Sequence, residues 1–319
     1  MNTNDTNKKL MIIWSTLVFL FLIIVGFNPA FAKDKKEKIP KGLKTTTETN
    51  YEFNKKSGKI EALGKTVIKY DDKGKRVEWA HYNTDGKLYT KGLCKYDDNG
   101  NQVEENVYYA DGKVYSKGFS KYDDKGNQVE DALYNAVGKS KYKYLYKYDD
   151  KGNRIEWVSY GDEGELYNKN LYKYDDKGNE IEWAVYDAKG KLYSKGFYKY
   201  DDKGNEVEQD VYYANGKLEW KSTCKYDDKG NEIELAYYDA EVKLEHKWLS
   251  KYDDKNNRVE YANYTAEGKL KWKEISKYDD KGNRVECFNY KIKEASGKIE
   301  EIPIRGTAWE YEFYPAEKK

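Results

Sequence analysis

Residues 70–95 read YDDKGKRVEWAHYNTDGKLYTKGLCK, and the chain repeats this block at a period of 26 residues. No residue is inserted or deleted between the first copy and the last: the tyrosine of Lys-Tyr-Asp-Asp falls at Tyr70, Tyr96, Tyr122, Tyr148, Tyr174, Tyr200, Tyr226, Tyr252 and Tyr278. Two turn signals divide the block, Asp71-Asp72-Lys73-Gly74 and Asn83-Thr84-Asp85-Gly86. Aspartate and asparagine close turns through side-chain bonds to the backbone, and glycine supplies the positive φ. The segments between the turns are rich in Val, Ile, Tyr, Trp and Leu and have the length of strands, so each unit reads as a β-hairpin. Pro29, Pro40, Pro303 and Pro315 all lie outside the repeats, as strands that donate to a hydrogen-bond ladder require.

The first glycine gives way only to Asn256, a residue that tolerates the same conformation. The second gives way to Val242, where a looser or reshaped turn is expected. On the first strand one parity carries Val77, Trp79 and His81, and the other Glu78, Ala80 and Tyr82. Glu stands at the Glu78 position and Tyr at the Tyr82 position in every unit, while Lys91 and Lys95 recur on every second strand. Rows of Glu and Lys should therefore alternate across one face, neutralising each other and discouraging edge-to-edge pairing. Leu88 and Leu93 have opposite parity, so either a bulge intervenes or both faces are partly covered. The fold class expected is all-β: tandem 26-residue β-hairpin repeats forming an elongated, twisted or spiralling antiparallel sheet. Eighteen strands would run roughly 85 Å if flat, and sheets of that length coil, curl into a shell or split.

Hydrophobic residues make up only 38% of the 319 and charged residues 36%, a balance that alone leans toward disorder. The 34 Tyr, 9 Phe and 8 Trp argue the other way and must supply much of the core. Beyond residue 32, Lys and Arg match Asp and Glu in number. No net field steers the chain to nucleic acid, and acidic residues in every unit would repel phosphate. Lys8 and Lys9, the apolar run from Leu10 to Phe27, and Asn28-Pro29-Ala30-Phe31-Ala32 read as a signal peptide spanning 1–32. The alternative is an N-terminal membrane anchor, the only reading that gives the chain a membrane partner. Either implies export, secreted or at a periplasmic or cell-surface location. A polar linker over 33–50, a repeat domain over 51–290 with a degenerate first hairpin at Lys55-Lys56-Ser57-Gly58, and a capping segment over 291–319 complete the organisation. Within the cap, Trp309 to Tyr314 reads as a closing strand.

The motif Tyr122-Asp-Asp-Lys-Gly-Asn127-Gln-Val129 resembles the YD repeat of bacterial RHS proteins, and the hairpin unit is similar to MORN-type repeats. The resemblance implies a spiral of hairpins that encloses a cargo or displays a surface for carbohydrate or protein contacts.

Catalysis is not expected. His81 and His246 occupy different repeat positions, and no nucleophile, zinc or phosphate-loop motif accompanies them. No cofactor or metal is expected either, because the recurring aspartates are explained by turn formation. Cys94, Cys224 and Cys287 lie too far apart along the repeat for a disulfide, roughly 48 Å for the first two, and read as packing residues. Trp79, Trp157, Trp183, Trp220, Trp248 and Trp272 vary between units, which makes them the candidate ligand-binding residues. The expected role is a structural or protein-interaction surface, with the aromatic rows offering carbohydrate or cell-wall binding as the alternative. The expected partner is a protein or a cell-surface glycan.

Overall fold

In a computed structural model, residues 40–54, 56–295 and 298–315 are described. The proposed signal segment lies outside them. From Gly42 onward the chain is entirely β, with β1 (Leu43–Asn54), β2 (Lys59–Tyr70), β3 (Arg76–Asn83) and β4 (Leu88–Tyr96) opening a series of antiparallel hairpins. The same alternation continues through β18 (Leu270–Tyr278) to β19 (Arg284–Ala295) and β20 (Lys298–Phe313). Each strand pairs with its sequence neighbours, and β20 also pairs with β1, so Leu43 meets Phe313 and Glu52 meets Arg305. The 20-stranded sheet therefore closes into a barrel with no free edge. Closure is the form the expected curling takes. It removes the exposed ladder groups that would otherwise recruit another chain. At about 4.8 Å per strand the girth is roughly 96 Å, and barrels of about 16 to 22 strands enclose a lumen or a plug.

The boundaries differ from expectation at both ends. β1 begins at Leu43, inside the stretch read as linker, because Thr45, Thr47 and Thr49 alternate with Thr46, Glu48 and Asn50 and pair on both sides. The segment read as a cap supplies the end of β19 and all of β20, whose Pro303 sits at the bulge opposite Tyr290, where no ladder donor is needed.

Each unit carries two bulges. In the first, Lys69 pairs with Glu78 and Tyr70 with Arg76, leaving Val77 over. In the second, His81 pairs with Thr90 and Tyr82 with Leu88, leaving Tyr89 over. The second bulge resolves the parity of the leucines, since Leu88 and Leu93 are both brought opposite residues of the Glu78, Ala80 and Tyr82 set. Repeated bulges also add the twist that lets a long sheet close.

The first turn shows why its motif is invariant. Gly74 N donates to Asp71 O at 3.0 Å and Asp71 N to Lys75 O at 2.9 Å, with Gly74 at φ 80°. The Asp71 carboxylate accepts from Lys73 N and Lys75 N at 3.0 and 2.7 Å. In later units an asparagine adds a further bond, as from Asn101 Nδ2 to Asp97 Oδ2 at 3.0 Å. At the other end the Val242 turn keeps both backbone bonds, at 3.0 Å each, so it is not opened. Nor is the expected reshaping seen: Val242 is held at φ 60°, the positive region the turn glycines occupy, and the preceding strand ends at Tyr238 just as the strand before the Gly164 turn ends at Tyr160.

The motif tyrosine does more than fill space. Pairing between β3 and β4 stops at Glu78 and Leu93, and beyond it the Tyr96 hydroxyl donates to Arg76 O at 2.7 Å. The same bond, spanning 20 residues, runs from Tyr200 to Glu180 O at 2.6 Å and from Tyr226 to Glu206 O at 2.8 Å. Tyr311 takes the role at the seam, bonding Arg284 O at 2.7 Å. A belt of phenols thus ties each hairpin to its own first turn.

Candidate functional site

Cross-strand partners share a face, so the register sorts the side chains into two walls. One wall carries Glu78, Ala80, Tyr82, Lys91, Leu93 and Lys95 and their equivalents. Its glutamates sit between lysines of the flanking strands: Lys199 and Lys221 reach Glu208 at 2.5 Å each, and Lys147 and Lys169 reach Glu156 at 2.7 and 2.6 Å. The other wall carries Trp79, Thr90, Gly92, Cys94 and Val107 and their equivalents. Its tyrosines are heavily desolvated: burial pushes Tyr172 up to about 12 and raises Tyr142, Tyr237 and Tyr261 further. Crowding of that kind belongs on the concave side, so this is the inner wall and the Glu–Lys wall faces out. The outer surface is striped with Glu–Lys pairs between rows of Ala80, Leu93 and Tyr82 and their equivalents.

All six candidate tryptophans stand on the inner wall, by the pairings Trp79 with Gly92, Trp157 with Asn170, Trp183 with Gly196, Trp220 with Val211, Trp248 with Leu235 and Trp272 with Asn263. They do not play one role. Trp79 and Trp183 lie flat on the neighbouring strand, where a Cβ on Gly92 or Gly196 would run into the indole. These two are packing residues that exploit a missing side chain. Phe288 covers Gly306 in the same way beside the seam. Trp157 meets Tyr144 edge-on at 5.5 Å, and Trp272 meets Tyr261 at 5.8 Å.

Trp220 and Trp248 belong to the densest aromatic cluster. Tyr237 lies 5.4 Å from Trp220 and 5.1 Å from Trp248, and His246 stacks on Tyr237 at 5.2 Å. Burial holds the imidazoles of His246 and His81 below their ordinary pKa. His81 bonds Thr66 Oγ1 at 2.7 Å and rests against Trp79. Both histidines are neutral packing groups at pH 7.

Polar side chains are interleaved with the rings. Glu105 accepts from Trp79 Nε1 at 2.7 Å and from Arg76 at 3.0 Å. Asp131 accepts from Ser120 at 3.0 Å, and burial raises its pKa. Gln209 and Ser222, cross-strand partners, are both 0% exposed. Gln209 Oε1 and Nε2 and Ser222 Oγ have no hydrogen-bond partner. Nothing in the sequence singled these two out, although their unit is the one with Gln where others carry Trp, Leu, Tyr, Cys or an acid. The three cysteines are free; burial raises the thiol of Cys287 to about 11 and that of Cys224 further. Among the described residues no group of three or more His, Cys, Asp or Glu is arranged to hold a metal ion. The outer wall offers one shallow depression of about 340 Å³, bordered by Lys117, Phe119 and Tyr134.

The repeats supply an internal comparison of the walls. Outside, the Glu78, Tyr82, Lys91 and Lys95 positions never change. Inside, the Trp79 position reads Trp, Glu, Asp, Trp, Trp, Gln, Leu, Tyr and Cys in successive units, and the Gly92 position is as varied. The Ala80 and Leu93 positions of the outer wall also vary, but the changes between aromatic, charged and polar side chains are greatest on the wall that holds the aromatic rings and the unpartnered polar atoms.

No family model matches the chain, and no curated protein matches it. Among solved structures, a porin-like protein from Bacteroides uniformis overlaps 85% of this chain and 98% of its own at 11% identity, with a TM-score of 0.38. A DUF1329 family protein from Desulfovibrio piger overlaps 89% and 91% at 13% identity and a TM-score of 0.22. TcdB2-TccC3 without its hypervariable C-terminal region overlaps 81% of this chain at 13% identity and a TM-score of 0.32, and the overlap spans only 16% of that chain.

Proposed function

We propose that the chain is an exported, non-catalytic binding protein whose inner wall takes a carbohydrate of the cell surface. The observation that carries the reading is the greater sequence diversity of the aromatic inner wall, set against an outer wall whose Glu78, Tyr82, Lys91 and Lys95 positions are the same in every unit. Sugar rings present CH groups that stack on indole and phenol faces, and their hydroxyls pair with the Asn, Gln, Ser, Glu and Asp side chains set between those faces. The likeness of the turn motif to YD repeats, whose spirals enclose a cargo or display contact surfaces, supports the same assignment. Titration of the purified protein with a glycan panel and a pull-down on peptidoglycan test it. Saturable binding lost in Trp220→Ala and Trp248→Ala is expected; absence of binding to every glycan would overturn it.

A second reading, a protein-contact surface, is favoured by the rim at the second turns. There Tyr193 is 71% and Tyr167 62% exposed, and Tyr89, Tyr109 and Tyr213 are also exposed. Tyrosine fringes of this kind supply contact area at low entropic cost. Capture of a protein partner that Tyr167→Ala and Tyr193→Ala abolish, with no glycan binding, would favour it.

A further inference from the structure

The residue after the first turn changes the sign of its charge between units: Arg76, Gln102, Gln128, Arg154, Glu180, Glu206, Glu232, Arg258 and Arg284. These side chains belong to the inner wall. Arg154 lies over the rings of Tyr146 and Tyr172 at 5.8 and 5.1 Å, Arg258 over Tyr261 at 4.6 Å, and Arg76 bonds Glu105. They form a ring just inside the mouth bordered by the Asp-Asp turns. Its three glutamates are consecutive, on β11 (Glu180–Asp187), β13 (Glu206–Tyr213) and β15 (Glu232–Tyr238), with successive positions roughly 9.6 Å apart. Arg154 and Arg258 bound this arc, and Glu206 has a glutamate on each side. The arc acts on a common set of phenols: Glu180 and Glu206 both bear on Tyr200, and Glu206 and Glu232 both on Tyr226 and Tyr237.

One layer deeper on the same strands lie Gln209 and Ser222, solvent-shielded and without partners. Tyr198 pairs with Gln209 on one side, and Tyr237 with Ser222 on the other. A buried amide and hydroxyl that bond nothing destabilise the free protein, and such groups call for an explanation in a functional role. An acidic arc, aromatic faces and an unfilled polar pair on adjoining strands make a compound site.

We propose that this arc is the subsite for a protonated amine carried on a sugar, so that the preferred ligand is a glycan with free amino groups, such as a de-N-acetylated hexosamine chain. The proposal rests on the carbohydrate reading above. The ammonium group is held by Glu206 and Glu232, charge-assisted bonds in a desolvated setting being the strong ones. Tyr and Trp faces add attraction for the cation and for the ring CH groups. A sugar hydroxyl completes Gln209 and Ser222 once the Tyr198 or Tyr237 ring moves aside.

The test is calorimetric titration of the full-length protein with a glucosamine tetramer and with an N-acetylglucosamine tetramer at low salt. The amine form is expected to bind at least about ten-fold tighter, with the preference shrinking as salt is added. Glu206→Gln and Glu232→Gln should each remove most of that preference while leaving binding of the acetylated tetramer. Outer-wall Glu208→Gln should leave the ratio unchanged, and circular dichroism of each variant checks that the barrel is intact. Equal affinity for the two tetramers, or a preference that survives both inner-wall variants, overturns the amine subsite while the carbohydrate reading stands. Binding of neither tetramer, and of no other glycan, overturns both.

Discussion

On β13, Glu208 points outward and Gln209 inward, neighbours in sequence under opposite rules. Glu208 bridges Lys199 and Lys221, as Glu130, Glu156 and Glu234 bridge their own lysine pairs, and every other glutamate of the row meets at least one lysine. Gln209 has no counterpart in any other unit and no hydrogen-bond partner in its own. A strand whose two faces belong to different walls can keep one constant for assembly and vary the other. The contrast teaches that in a repeat protein the copies themselves mark which positions serve the scaffold.

The contrast can be broken first at the turns, because acid acts on all of them together. Asparagine bonds hold the carboxyls of Asp97, Asp123, Asp175, Asp201, Asp227 and Asp253 below the ordinary aspartate range. A depressed folded-state value stabilises the fold above the unfolded pKa, near 3.9, and that contribution is lost as pH falls through the folded value. The melting temperature should therefore hold from pH 7 to about 5 and drop steeply below about 4. A flat profile down to pH 3 would deny the turns this role.

Single substitutions sharpen the comparison further. Trp183→Ala strips the cover from Gly196 and should cost about 3 kcal/mol in urea unfolding. Tyr226→Phe removes the clamp on Glu206 O and should cost about 1 kcal/mol. Val242→Gly relieves a β-branched residue held at positive φ and should stabilise the barrel by about 1 kcal/mol, the opposite sign from the other changes. Glu208→Gln on the outer wall should cost about 1 kcal/mol or less, because its Lys199 partner is solvated and the amide oxygen can still accept from Lys221. Were the outer-wall change as costly as Trp183→Ala, the division of labour between the walls would be wrong.

Much of this architecture was legible in the period and the turn chemistry. Nine evenly spaced Asp-Asp turns, eight closed by glycine and one by Asn256, specify consecutive hairpins, and the opposite parity of Leu88 and Leu93 left a bulge, found at Tyr89, as one of two readings. Closure was not legible, because it depends on β1 and β20, which share no motif with the repeats and meet across the whole chain. The threonine run from Thr45 to Thr49 was the available signal, since alternating β-branched residues form strands better than linkers. Varying tryptophans marked the right wall, but parity alone could not separate Trp183, lying on a glycine, from Trp220, set in a cluster. That distinction needs the register, which pairs Trp183 with Gly196 and Trp220 with Val211. The roles of Gln209 and of the tyrosine hydroxyls are likewise properties of paired strands.

The seam has a consequence for how the molecule is made. Every other hairpin can zip onto its predecessor as it leaves the ribosome or the export channel, since its partner is already present. β1 finds β20 only when Lys44 can reach Glu312, 268 residues along. Until then one flank of the growing sheet stays open for the entire length of synthesis. Sealing the ring is thus a late, long-range event with a large loop-closure penalty, and truncation by a single terminal strand should leave an adhesive ribbon in place of a slightly smaller barrel.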